Sequence, residues 1–321
     1  MNYKPIVIVA GEPNSIFLEI FFKTLKIKRI KSPLILIVSE KLLILQMKKL
    51  KFKKKIKTLN YKKLQDYDLD NNTINIIDIK YNPLKAFETI SNKSNNYIKK
   101  SFDIAFKLMN NGITNKFING PISKKNFLNK KFLGVTEYIA KNFRSKKNAM
   151  LIFNKKLSVC PLTTHLPLKF VTKKINTKTI FEKVFLINDF YKKIFGIIPK
   201  IGLLSLNPHG ESIDKFNEDE KILKPSIKKL NMNGIKIFGP IPADTAFLKT
   251  NRDKYDVIIG MYHDQVLTPI KTLFEYDAIN ITLGLPFIRI SPDHGPNEIM
   301  LGKNKSNPLS LIRAVEFLDK N

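Results

Sequence analysis

Apolar and polar residues alternate in blocks along this chain. Runs of five apolar residues at Ile6–Ala10 and Leu34–Val38, and the stretch Ile74–Ile77 interrupted only by Asn75, predict buried strands, since a strand covered on both faces needs little polar alternation. Ile16–Leu25 and Tyr97–Met109 carry helical spacing, the second with Gly112 just beyond its end. Phe117–Ile118 leads into the turn Asn119-Gly120-Pro121, and Thr136–Phe143 is again helical. Met150–Phe153 and Leu157–Cys160 predict a hairpin. In Thr177–Phe195, Ile180, Phe181, Val184, Phe185, Ile187 and Ile194 fall mostly on one side of a helix that Gly196 would stop. Ile201–Leu206, Ile235–Phe238 and Val257–Met261 are short apolar strands, each followed by a polar loop, and Pro308–Leu318 closes the chain as an amphipathic helix. Strands alternating with helices predict an α/β architecture. The chain contains no internal repeat and no long low-complexity linker.

A length of 321 residues with 43% hydrophobic content is enough for two cored domains or one large one. The lone cysteine, Cys160, excludes an internal disulfide and a zinc site built from cysteine alone. No apolar run approaches the roughly 20 residues of a membrane span, and Ile6–Ala10 is too short for a signal-peptide core. The expectation is a soluble, cytoplasmic protein with no membrane partner.

Charge changes the picture less than its size implies. Lys+Arg is 56 against 27 for Asp+Glu, a formal net charge of +29. Of these cations only five are arginine: Arg29, Arg144, Arg252, Arg289 and Arg313. Base readout and two-pronged phosphate contacts favour arginine, so a nucleic-acid partner rests on charge alone and is not expected. Lysines are densest over Lys48–Lys63, with Leu50, Phe52 and Ile56 interleaved, as in a solvated helix or hairpin. A positive field of this kind also attracts small anions such as phosphorylated substrates or dinucleotides.

Candidate chemistry concentrates at the four histidines. His209 in Asn207-Pro208-His209-Gly210-Glu211 and His263 in Met261-Tyr262-His263-Asp264-Gln265 directly follow predicted strands. His165 in Thr163-Thr164-His165-Leu166-Pro167 follows one after a few residues, and His294 lies in Asp293-His294-Gly295. Ligand sites in open α/β sheets lie beyond the carboxyl ends of strands. Three imidazoles gathered there suit a divalent metal, with Asp244 and Asp264 near in sequence; satisfied loop histidines are the plain alternative. Lys271, Asn280 and Arg289 follow His263 closely and make a plausible grip for phosphate or carboxylate. The chain has no Gly-x-Gly-x-x-Gly and no phosphate-binding P-loop.

Taken together, NGPISK (119–124), GVTEYIA (134–140), TTHLPL (163–168), LNPHGE (206–211), GPIPADTAF (239–247), YDVIIGMYHDQ (255–265) and NITLGLPFIRISPDHG (280–295) resemble the 4-hydroxythreonine-4-phosphate dehydrogenase (PdxA) family of vitamin B6 synthesis. The resemblance runs in order from Gly11 to Gly295. It implies a two-domain isocitrate/isopropylmalate dehydrogenase-like fold with the active site in the interdomain cleft. The domains are placed at 1–130 plus 300–321 and at 131–299, the second carrying most of the metal and substrate motifs. It implies a homodimer with shared active sites, NAD or NADP bound without a Rossmann fingerprint, and a divalent metal (zinc, magnesium or cobalt). Carried over by motif, His165, His209 and His263 would be metal ligands, and Thr136, Lys271, Asn280 and Arg289 would contact substrate. Asp244, Asp264 and Lys271 are the catalytic candidates, and the loop near His294 is the suspected cofactor contact. The implied reaction is oxidation of 4-phosphooxy-threonine at its secondary alcohol, hydride passing to NAD, followed by loss of carbon dioxide to give 3-amino-2-oxopropyl phosphate. Such an ion would polarise the alcohol.

Three departures from the family pattern mark this chain. Val135 stands where the family has histidine before the threonine. The first loop reads Gly11-Glu12-Pro13-Asn14-Ser15-Ile16-Phe17 in place of Gly-Asp-Pro-Ala-Gly-Ile-Gly. Pro296-Asn297 replaces Thr-Ala after Asp293-His294-Gly295. Val135 keeps open a related dehydrogenase of another phosphorylated four-carbon hydroxy acid, such as a phosphothreonate. A metal-dependent hydrolase or lyase using the same histidines would need no nicotinamide.

Overall fold

The computed structural model describes residues 3–27, 30–128, 132, 134–211, 216–292 and 294–321. In chain order the elements are β1 (Ile6–Val9), α1 (Phe17–Ile27), β2 (Leu34–Val38), α2 (Glu40–Lys49), β3 (Ile56–Thr58), β4 (Ile74–Asp78), α3 (Asn95–Asn110), β5 (Lys116–Asn119) and α4 (Val135–Asn142). There follow β6 (Ala149–Phe153), β7 (Ser158–Thr163), α5 (Thr177–Phe195), β8 (Ile201–Leu204), α6 (Lys224–Met232), β9 (Ile237–Ile241), α7 (Ala243–Ala246) and α8 (Lys249–Arg252). The last are β10 (Val257–Tyr262), α9 (His263–Phe274), β11 (Ile279–Leu283), β12 (Ile288–Pro292) and α10 (Leu309–Lys320).

Contacts divide the chain into two units, Met1–Ile139 with Pro286–Asn321, and Ala140–Leu285. These divisions fall at 139 and 285, against the approximate sequence-based boundaries of 130 and 299. The later crossing is fixed by β12, which pairs with β5 and sets Arg289 opposite Phe117. Thr136 and Arg289 therefore belong to the first unit and the remaining metal and substrate candidates to the second.

In the first unit six strands, all parallel, run in the order β3-β4-β2-β1-β5-β12. Every residue of β1, β2 and β5 is buried, as strands covered on both faces require. Because the strands are parallel, the loops starting at Gly11, Ser39 and Gly120 all leave one edge of the sheet. Gly11 has φ +78°, and a Cβ there would stand 2.3 Å from the Pro121 carbonyl oxygen. That approach is used: the Glu12 N–H donates to Pro121 O at 2.8 Å. The loop after β1 also meets the segment that follows β12. Ile16 N–H donates to Pro296 O at 3.1 Å, and the Phe17 ring lies 6.4 Å from the His294 ring.

The second unit orders its strands β11-β6-β7-β10-β8-β9. β6 is antiparallel to β11 and forms the expected hairpin with β7, while β7, β10, β8 and β9 are mutually parallel. Helix α5 occupies its predicted span. Asn176 Oδ1 caps its start by accepting from Thr179 N–H at 3.0 Å, and Gly196 ends it at φ +69°. The strand expected at Ile235–Phe238 instead starts at Ile237 and continues through Gly239-Pro240 to Ile241. A β-bulge between Gly202 and Leu204 admits the extra backbone, and Gly239 lies so close that a Cβ would meet Leu203 O at 2.3 Å. The Lys48–Lys63 stretch is neither one helix nor a hairpin; it holds the end of α2 and the short strand β3. Helices α2, α6 and α9 and strands β11 and β12 lie where no element was expected. Among the described residues no helix is long and apolar enough to cross a membrane.

Candidate active site

The topology of the second unit gives the histidines their first common ground. His165 follows β7, His263 follows β10 and His209 follows β8, and these three strands are neighbours with β10 in the middle. Their register is level: Tyr262 pairs with Thr163, and Ile259 pairs with Leu203. Three consecutive strand ends thus each release one imidazole-bearing segment at the same sheet edge.

His165 and His263 come together, with ring centroids 5.9 Å apart. His263 begins α9, and its Nδ1 lies 2.6 Å from Asp264 Oδ1. With the ring neutral, Nδ1–H donates to that carboxylate and the lone pair sits on Nε2, the usual arrangement behind a metal-binding imidazole. His165 and His209 both have left-handed backbones, φ +54° and +56°. Such angles cost a non-glycine residue about 1–3 kcal/mol and cluster at functional sites. Among the described residues, however, no three His, Cys, Asp or Glu side chains stand close enough to hold an ion. The structure therefore assembles two of the three expected ligands and leaves His209 at the neighbouring strand end. Neutral imidazoles at this spacing fit a divalent transition metal in donor chemistry.

Other candidates in this unit are more dispersed. Asp264 is exposed, as is Asp244 in the short helix beyond β9. Lys271 lies two turns along α9 from His263 and is half-buried. Asn280 sits in β11 opposite Ile152, its Oδ1 buried without a hydrogen-bond partner. The Ser205 hydroxyl, at the exit of β8, is likewise buried and unpartnered. The two lie on strands separated by β6, β7 and β10 and do not form one pocket.

In the first unit Arg289 is only 2% exposed. Its Nε donates to Asn119 Oδ1 at 2.7 Å and one terminal nitrogen to the Thr136 hydroxyl at 3.2 Å. Burial brings its pKa down to about 10, opposed by the Glu137 carboxylate, so the group stays charged at neutral pH. Thr136 and Arg289 thus meet within the first unit. Asn119 is the residue that sequence reasoning misses; its place at the end of β5, in an Asn-Gly-Pro turn, is the available signal. Val135 and Thr136 occupy the first turn of α4. His294 lies in this unit as well, its N–H donating to Pro292 O at 2.9 Å; Asp293 of the same motif lies outside the described residues.

Glu12 is a second buried charge, 2% exposed. It accepts from Asn14 N–H and the Ser94 hydroxyl, both at 3.2 Å. Burial is the main cause that raises its pKa, and the Glu298 charge adds to it. A carboxyl raised in the folded state stabilises the fold below its unfolded pKa and loses that contribution as pH rises through the folded value. Glu12→Gln should therefore raise Tm at pH 7–8, and its advantage should vanish below pH 4.5, measured by thermal melts across pH.

Two α/β units, each with parallel strands, give this chain the fold class of the isocitrate-type dehydrogenases. An isocitrate dehydrogenase structure from Methylococcus capsulatus shares that fold, with a TM-score of 0.52 at 9% identity over 98% of this chain and 84% of that one. The family model "Pyridoxal phosphate biosynthetic protein PdxA" matches residues 29–318, and the chain belongs to that family. It is 33% identical over 321 residues to the 4-hydroxythreonine-4-phosphate dehydrogenase of Aquifex aeolicus, covering 98% of each chain. A Sulfurihydrogenibium relative of the same name is 46% identical over 202 residues; that match spans 61% of this chain and 62% of the relative's length. The crystal structure of the Klebsiella pneumoniae enzyme of that name superposes with a TM-score of 0.84 at 25% identity, covering 98% of both chains.

Proposed function

We propose that this protein oxidises 4-hydroxythreonine 4-phosphate with NAD or NADP, the resulting β-keto acid then losing carbon dioxide to leave 3-amino-2-oxopropyl phosphate. The observation that carries the reading is the set of three adjacent parallel strand ends delivering His165, His263 and His209. These three residues would hold a zinc, magnesium or cobalt ion, which when bound polarises the substrate's hydroxyl. The rest falls to the chain itself. Asp264 keeps the His263 Nδ1 proton in place, which leaves the lone pair on Nε2. Arg289, already desolvated, supplies the substrate's anionic group with a charge that water does not screen. Thr136 and Asn119 fix the plane of that guanidinium. Asn280 offers a buried acceptor, and Lys271, Asp264 and Asp244 are the candidates to carry the alcohol proton away. The loop around His294 and Pro296 is assigned to the nicotinamide cofactor, and the working assembly to a homodimer with shared sites.

Val135 favours one variation. Histidine at that position would offer a hydrogen bond that valine lacks, so the substrate group it would meet is either left unmatched or different. A phosphorylated threonate is the second candidate. Both readings are tested by steady-state assay of the purified protein on phosphorylated four-carbon hydroxy acids, with NAD and NADP and with Zn²⁺, Mg²⁺, Co²⁺ or Mn²⁺. Growth of the reduced-nicotinamide absorbance with 4-hydroxythreonine 4-phosphate supports the first, and with phosphothreonate alone the second. No reduction with any of them removes the proposal. If the pocket keeps the family shape, Val135→His should raise kcat/KM for 4-hydroxythreonine 4-phosphate.

A further inference from the structure

Strand ends do not hold three loops in register unaided, and a set of polar side chains joins these three. The paired residues of β10 and β8 end at Ile259 and Leu203, short of the histidines. Beyond that point Gln265, in the first turn of α9, bridges the gap. Its Oε1 accepts from the Met261 N–H at 2.6 Å, and its Nε2 donates to Ser205 O at 2.9 Å. On the other side of β10, the Thr163 hydroxyl donates to Met261 O at 2.8 Å. Met261 is thus clamped through both backbone groups, once toward β7 and once, by way of Gln265, toward β8. Gly260 makes room for this: a Cβ there would stand 2.9 Å from Gln265 Oε1 and 2.5 Å from Val266 Cγ1. The outgoing β8 segment is held again by Asp219, fully buried, whose carboxylate accepts from Leu206 N–H at 2.8 Å, Asn207 N–H at 3.0 Å and Asn207 Nδ2 at 2.9 Å. Two residues further on stands His209 with its left-handed backbone.

We infer that Thr163, Gln265 and Asp219 are positioning residues. They form one brace across β7, β10 and β8 that sets the spacing of His165, His263 and His209. None of them is offered as a ligand. Each ties down the backbone within two residues of a histidine or, for Asp219, the segment leading to one. The brace explains how loops with strained residues can present imidazoles in a fixed array, because the strain persists only where surrounding bonds over-determine it. The inference rests on the metal reading above.

The test uses the full chain loaded with Co²⁺, whose visible d–d absorption reports ligand geometry, with affinity measured by chelator competition. Gln265→Met keeps length and removes both hydrogen bonds; Thr163→Val keeps shape and removes one. Each should bind Co²⁺ about 10–100-fold more weakly, the usual cost of losing support behind metal ligands, with an altered d–d spectrum. Thr163→Ser, which keeps the hydroxyl, should restore both affinity and spectrum. Loss of packing alone would lower the metal-free Tm without changing the spectrum of the loaded protein. Wild-type affinity and spectrum in both Gln265→Met and Thr163→Val would overturn the brace. Should Gln265→Met fail to fold, the Thr163→Val and Thr163→Ser pair decides alone. A wild-type protein that binds no Co²⁺ would overturn the metal reading first and this inference with it, a result visible before any variant is made.

Discussion

Alanine at His263 should leave a folded protein that no longer retains its divalent ion and has lost about three orders of magnitude in kcat/KM. The size follows from the several kcal/mol that a Lewis acid contributes to transition-state charge, at about 1.4 kcal/mol per factor of ten. His263 is only partly buried at the head of a surface-facing helix turn, so its removal opens no core cavity and Tm should change little. His165→Ala should match it, since the two rings lie together. Metal content after gel filtration and steady-state rates check both, and chelation of the wild type followed by return of Zn²⁺, Co²⁺ or Mn²⁺ should reproduce the loss and its recovery. Full activity of metal-free wild type would sink the assignment. Because His165 and His263 meet within one chain, hybrids of those two variants should stay inactive. Any sharing of ligands between subunits would have to involve His209, and hybrids of His209→Ala with His263→Ala would reveal it by recovered activity.

Arg289→Ala should lower kcat/KM at least tenfold. A charge-assisted hydrogen bond is worth about 1.5–3 kcal/mol, and roughly 1.4 kcal/mol is one factor of ten. If the anion is gripped equally in the ground and transition states, the loss appears in KM. Arg289→Lys should regain only part, because an ammonium cannot donate to Asn119 and Thr136 while presenting a planar edge to the substrate. Stability offers an independent check. Burial pulls this guanidinium's pKa down to about 10, so at neutral pH the folded state carries a desolvated charge that the unfolded state does not. A group depressed in this way adds stability only above its unfolded pKa and loses it as pH falls through the folded one. Arg289→Met removes that desolvated charge but leaves the buried Asn119 Oδ1 without its donor, so Tm should fall while substrate affinity is lost. Wild-type kinetics in Arg289→Ala would show that the anion is bound elsewhere.

Much of the fold was legible because its strands are buried on both faces and its helices on one. Leu34–Val38 and Thr177–Phe195 appear where the pattern set them, since an unbroken apolar run and a 3.6-residue stripe leave few alternatives. The elements that escaped carry mixed signals. Helix α9 opens on His263-Asp264-Gln265 and contains Pro269, a sequence that resembles a loop until the chain is seen to turn directly from strand to helix. Strands β11 and β12 lie inside a segment whose glycine and prolines obscure the two short apolar stretches, and β9 runs through a Gly-Pro pair that ordinarily ends a strand. At the site, histidine and arginine stood out because they are scarce here. Gln265, Asp219 and Thr163 did not, because their importance lies in which backbone groups they reach. Those partners, Met261, Ser205 and Asn207, are set by strand order rather than by spacing along the chain.

The lysine-rich stretch acquires a role from the position of β3. This strand is only three residues long and stands at the end of the first unit's strand order, where among the described residues one row of its backbone N–H and C=O groups has no neighbouring strand. An open strand of this kind is a template on which another chain can stack and begin an aggregate. Lys53, Lys54 and Lys55 lead into it, Lys57 sits in it, and Lys62 and Lys63 follow. A second copy approaching in register would bring its own set of like charges against these, a repulsion that resists edge-to-edge growth while the protein is crowded or newly made. Charge that looks like an invitation to nucleic acid works here as a guard against the chain's own kind.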